Sequence, residues 1–203
     1  MRDVLASILS YIMLLITAMT VENAVFARGL GTSMLISLSD DTTDTLAFMI
    51  VLLECMTLSG LFYWLVNHYL LSLISWKRFL RPLAAAICMA SSFYTVLLFN
   101  VKRMPLEFVK KAVPEMPTAG FNSLVIGTIF LTENSRMNLL QTIIFSIGSA
   151  VGYTIAVCMT TEGQRRIQNS SVPKSFRGLP VTLIYLSGLS MAVYALTGKI
   201  FSI

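Results

Sequence analysis

Long apolar runs separated by short charged segments constrain this chain more than any other feature. Leu46–Val66 and Leu139–Met159 are each 21 residues long, and Leu179–Gly198 adds 20 more. At a rise of about 1.5 Å per residue, about 20 residues cross the ~30 Å hydrocarbon core of a bilayer. Another such run lies between Phe79 and Phe99, and the first extends from Val4 to Met19. The shortest, Thr118–Leu131, has 14 residues and follows Pro114, Pro117 and Gly120, which suggests a half-helix or a re-entrant segment. Lipid leaves no backbone polar group to water, so a spanning segment is a helix or part of a closed barrel. Barrel strands alternate over about ten residues, and these runs do not. Charged residues make up 12% of the chain, half the roughly 25% of a soluble domain. The expected fold is an all-α membrane protein of six transmembrane helices in a single domain, residues 1–203.

Several function classes drop out at this stage. Cys55, Cys88 and Cys158 all sit inside apolar runs, His68 is the one histidine, and no zinc-type spacing occurs. The net charge of +5 is explained by loop residues that set topology, so no nucleic-acid partner is expected. The first run lacks a clean cleavage site, so it reads as a helix and not as a signal peptide. It continues past Glu22 and Asn23 toward Gly29–Gly31, and Asp40, Asp41 and Asp44 then mark a polar loop. With six spans, nine Lys and Arg fall on the side opposite the termini and six on the same side. The richer side is expected in the cytoplasm, with both termini outside. Trp64, Tyr69 and Trp76 read as interface anchors. Gly148 and Gly152 form a GxxxG element that permits close helix packing.

The two halves of the chain echo one another. The first run carries Glu22-Asn23-Ala24-Val25-Phe26 and then Leu30-Gly31; the fourth carries Phe121-Asn122-Ser123-Leu124-Val125 and then Gly127. Three spans per half make the halves inverted repeats with broken first and fourth helices, and the two asparagine segments are expected to face each other. A broken helix leaves backbone groups that protein, water, an ion or a cofactor must satisfy. Asn23 and Asn122 therefore either glue helices together or line a site. Glu54 and Glu22 pose the same choice between a proton or cation path and a paired, structural carboxylate. Arg28 can reach Glu22 only if the helix breaks between them; otherwise it snorkels to headgroups.

Asn23-Ala24-Val25-Phe26-Ala27-Arg28-Gly29-Leu30-Gly31 resembles the first-helix signature of the Rnf/Nqr family of membrane subunits. Asn122-Ser123-Leu124-Val125-Ile126-Gly127 is similar to that family's second signature. Val172-Pro173-Lys174-Ser175-Phe176-Arg177-Gly178 resembles the lead into the sixth helix of its RnfA-like, NqrE-like branch. The resemblance implies a subunit of an ion-translocating electron-transport complex in a bacterial or archaeal inner membrane. It implies pairing with a paralogous, inverted membrane subunit (RnfE-like or NqrD-like), and a [2Fe–2S] cluster shared between the two. The family's cysteine positions are Ser33 and Ser123 here. A hydroxyl is harder to deprotonate than a thiol and binds iron less well, so the two replacements favour no cluster over a retuned one. A scaffold that also lines the coupling path is the expected role. The alternative is a stand-alone small transporter on the same fold. No HExxH, GxSxG or paired-aspartate motif supports a membrane enzyme.

Overall fold

The computed structural model describes residues 2–40, 45–73, 76–103, 105–167, 173 and 176–196. The polar loop of Asp41 and Asp44 lies outside the described residues, as do Val172, Lys174, Ser175, Gly198 and Lys199. Every regular element among the described residues is helical. In chain order these are α1 (Arg2–Met19), α2 (Thr32–Asp40), α3 (Thr45–Tyr69), a 3-10 turn (Leu71–Leu73), α4 (Lys77–Arg103), α5 (Leu106–Gly120), α6 (Ser123–Asn134), α7 (Leu139–Ile167) and α8 (Leu179–Leu196).

Among the described residues, three stretches are long and apolar enough to cross a membrane: Ala47–Leu73, Arg78–Lys102 and Leu139–Arg166. They match the second, third and fifth apolar runs and extend each beyond its C-terminal end. Shorter apolar helices cover Leu5–Met19 and Leu179–Ala195. The first and fourth runs are each split in two, α1 from α2 and α5 from α6.

In the fourth run a short helix, α6, does follow Pro114, Pro117 and Gly120, but the prolines themselves lie within a further helix, α5, which Pro105 leads into as N-cap. A proline withdraws one backbone donor but does not forbid a helix that neighbours hold in place, and α5 packs along α3 and α4. The helix ends at Gly120, beyond both prolines, where the Phe121 N–H closes onto the Pro117 carbonyl at 2.9 Å. Several basic residues are helical: Lys77, Arg78 and Arg81 belong to the first turns of α4, and Lys110 and Lys111 lie within α5.

Helix α3 is the hub of the bundle, against α4, α5, α6 and α7. Phe48, Leu52 and Met56 from α3 meet Tyr153 of α7, Leu124 of α6 and Met116 of α5, all fully buried. The GxxxG element seats α1 on α7. A Cβ on Gly148 would come within 2.8 Å of the Ala18 Cβ, and one on Gly152 within 3.0 Å of the Met19 carbonyl oxygen. Small residues here let two backbones approach, the packing mode that lipid favours. Leu5, Leu9 and Met13 on α1, Leu83 and Ile87 on α4, and Ile184 and Met191 on α8 are more than half exposed. Apolar surface this extensive needs lipid or a partner protein to cover it.

Candidate functional site

The site forms where the two helix breaks meet. In the first break, Asn23 is 2% exposed and uses both ends of its amide. Its Nδ2 donates to the Met19 carbonyl at 3.0 Å and to the Gly152 carbonyl at 2.9 Å. Its Oδ1 accepts from the Val25 N–H at 3.0 Å and the Phe26 N–H at 3.3 Å. One side chain thus satisfies the last turn of α1 and the first turn after it, and ties both to α7. Backbone bonds such as Leu30 N–H to the Ala24 carbonyl at 2.9 Å complete the turn. Gly29 and Gly31 sit at φ +67° and +72°, conformations that a side chain disfavours. Arg28 turns back onto Glu22 at 3.0 Å, the pairing that requires a break between them.

In the second break, Asn122 is extended (φ −106°, ψ 144°) and caps α6, its Oδ1 accepting from the Leu124 N–H at 3.2 Å. Asn122 Nδ2 is buried and has no hydrogen-bond partner among the described residues. Asn23 and Asn122 do not bond one another. The breaks are joined by their other residues instead. The Gly31 N–H donates to Ser123 Oγ at 3.0 Å, and the Tyr153 hydroxyl donates to the Gly31 carbonyl at 3.3 Å. Leu30 lies so close to Gly127 that a Cβ there would meet its side chain at 2.4 Å.

Ser33 and Ser123 line one open cavity of about 340 Å³, with Met34, Thr118, Phe121 and Asn122. The first turn of α2 supplies one hydroxyl and the first turn of α6 the other. The structure therefore brings together two positions far apart in the chain. Glu54 lies elsewhere, on α3, where its carboxylate accepts from Asn100 Nδ2 at 2.7 Å. Asn100 is fully buried on α4 and its Oδ1 has no partner among the described residues. Sequence reasoning missed Asn100; a polar side chain near the end of an apolar run was the available signal.

The family model of the Rnf-Nqr membrane-protein subunit matches residues 11–200. The chain belongs to the Rnf-Nqr family. Among its relatives is one subunit of a proton-translocating ferredoxin:NAD(+) oxidoreductase complex from Clostridium ljungdahlii, 25% identical over 94% of this chain and 98% of that protein. A subunit of an ion-translocating oxidoreductase complex from Pectobacterium atrosepticum is 26% identical, over 94% and 97%. A subunit of a Na(+)-translocating ferredoxin:NAD(+) oxidoreductase complex from Acetobacterium woodii is 23% identical, over 94% and 98%.

The [2Fe–2S] cluster that the sequence resemblance implies does not fit this Rnf-Nqr protein. Iron in such clusters is held by deprotonated thiolates. The cavity offers two serine hydroxyls, and that of Ser123 already accepts from Gly31 and donates to Asn122 Oδ1 at 3.4 Å. None of the cysteines replaces them: Cys55 and Cys88 are buried in the core, and Cys158 is exposed on α7. Among the described residues no three His, Cys, Asp or Glu side chains are grouped to hold a metal.

Proposed function

We propose that this chain is a single-domain membrane subunit of an Rnf-type ion-translocating oxidoreductase complex, acting as a scaffold and lining the coupling path without relaying electrons. The observation that carries this reading is the chemistry of the side chains where the two breaks meet. Hydroxyls occupy both sites that would need thiolates, and Ser123 is committed to holding Gly31. Full-length similarity to one subunit from each of three such complexes supports the assembly role.

In this reading six spans form two inverted three-helix repeats, with α1–α2 and α5–α6 as the broken members. Both termini face outward from a bacterial or archaeal inner membrane. The open cavity at Ser33 and Ser123 faces a paralogous, inverted partner, and lipid covers the remaining apolar faces. Glu54, held by Asn100, is the coupling-path carboxylate, because a carboxylate within a span is costly and suits a place where a cation or proton is handled. The names of the relatives specify a proton in one case and Na⁺ in another, so a monovalent cation is the class of ion.

Solubilising the native membrane in a mild detergent and isolating the tagged chain tests this. It is expected to co-purify with flavin- and iron–sulfur-carrying subunits, and Glu54→Gln to keep that assembly while lowering ion uptake by vesicles at least tenfold. A chain that migrates alone and still moves ions would instead establish the stand-alone transporter.

A further inference from the structure

A polar cavity of about 500 Å³ opens where α3 ends, α4 begins and α6 turns into α7. It is separate from the helix breaks, and the assembly role makes no use of it. One wall is Trp64, stacked on His68 with ring centroids 4.9 Å apart and planes 6° from parallel. Trp64 does more than anchor the chain at an interface, since its Nε1 donates to the Met137 carbonyl across the cavity at 3.2 Å. Inside, the Glu133 carboxylate contacts Arg81 at 2.7 Å and accepts from the Tyr63 hydroxyl. These contacts neutralise the one acid that lines the cavity.

Arg136 is left over. It lines the same cavity, is exposed, and makes no ion pair among the described residues. Its backbone is also unusual: at φ +50° it is the sole non-glycine residue with positive φ among the described residues. The Arg136 N–H donates to the Glu133 carbonyl at 2.9 Å and the Met137 N–H to the Thr132 carbonyl at 3.1 Å. This pair of bonds closes a helix C-terminus at a position that favours glycine, and arginine is strained there. Strain held at the edge of a cavity points to a use for the side chain. A second feature agrees in sign. The start of α7 reaches the cavity through Asn138 and Thr142, and a helix N-terminus attracts anions.

We propose that this cavity binds a phosphate-bearing anion, gripped by the Arg136 guanidinium, whose planar fork matches phosphate oxygens. The phosphate comes either from a phospholipid headgroup or from free inorganic phosphate. Trp64 and Trp76 are the only tryptophans, so Trp76→Phe leaves Trp64 as a reporter inside the site. The full chain in mild detergent is titrated with short-chain phosphatidylglycerol in one arm and with inorganic phosphate in the other. A saturable change in Trp64 emission is expected in at least one arm. A response to the lipid alone identifies a headgroup site; a response to inorganic phosphate identifies a site for the free ion. Arg136→Gly is expected to weaken that binding at least tenfold while raising the melting temperature, because glycine relieves the strained backbone. Arg136→Gln, which keeps the strain, is expected to lose binding to the same degree. No saturable change in either arm, or an affinity indifferent to both substitutions, overturns the proposal.

Discussion

Asn23→Leu destabilises the folded chain by about 3–5 kcal/mol, about 1 kcal/mol for each of the four hydrogen bonds that its amide makes. The partners concerned are the Met19 and Gly152 carbonyls and the Val25 and Phe26 N–H groups. Leucine also brings two methyl groups to a place where α1 already touches α7, since a Cβ on Gly152 would lie 3.0 Å from Asn23 Nδ2. Overpacking of this kind adds to the loss. Unfolding in mixed micelles, followed by helicity, measures it. A loss under about 1 kcal/mol, the worth of one hydrogen bond, would mean that the break is satisfied by groups other than Asn23.

Arg81→Met is expected to cost about 2 kcal/mol, less than the 3–5 kcal/mol of breaking a fully buried pair, because Arg81 keeps partial contact with solvent. The side chains of Arg81 and Glu133 are 36% and 7% exposed, so the cost falls on the carboxylate that stays behind. Neutralising that carboxylate removes the cause. In the Arg81→Met background, Glu133→Gln is expected to restore at least half of the lost stability, its amide remaining beside the Tyr63 hydroxyl. The four proteins of this double-mutant cycle give the coupling directly. Additive losses would show that Arg81 and Glu133 act independently.

Much of this architecture is legible in the chain because lipid imposes simple rules. Length and apolarity locate the α3, α4 and α7 spans, and an asparagine followed by glycines marks the first break. The pairing of Arg28 with Glu22 follows once that break is granted. Helix α5 is the counter-example. Pro114 and Pro117 carry strong local signals against a helix, yet α3 and α4 hold the segment helical. Local propensity is a weak prior when packing supplies the missing support. At the site, sequence motifs single out Ser33 and Ser123, and both side chains line one cavity. What those hydroxyls do was not legible, because the bond from Gly31 to Ser123 depends on how two turns dock. Glu54 with Asn100, and Arg81 with Glu133, were hidden for the same reason. Each pair lies on different helices, and no period in the sequence connects them.

The most direct test of the account is the iron and acid-labile sulfide content of the intact complex, read with electron paramagnetic resonance of the reduced sample. The account predicts that every iron is assigned to other subunits, and that Ser33→Ala with Ser123→Ala changes neither the iron content nor the spectrum. A [2Fe–2S] signal that disappears in the Ser33→Ala, Ser123→Ala protein, with the complex still assembled, would contradict it and make this chain an electron carrier.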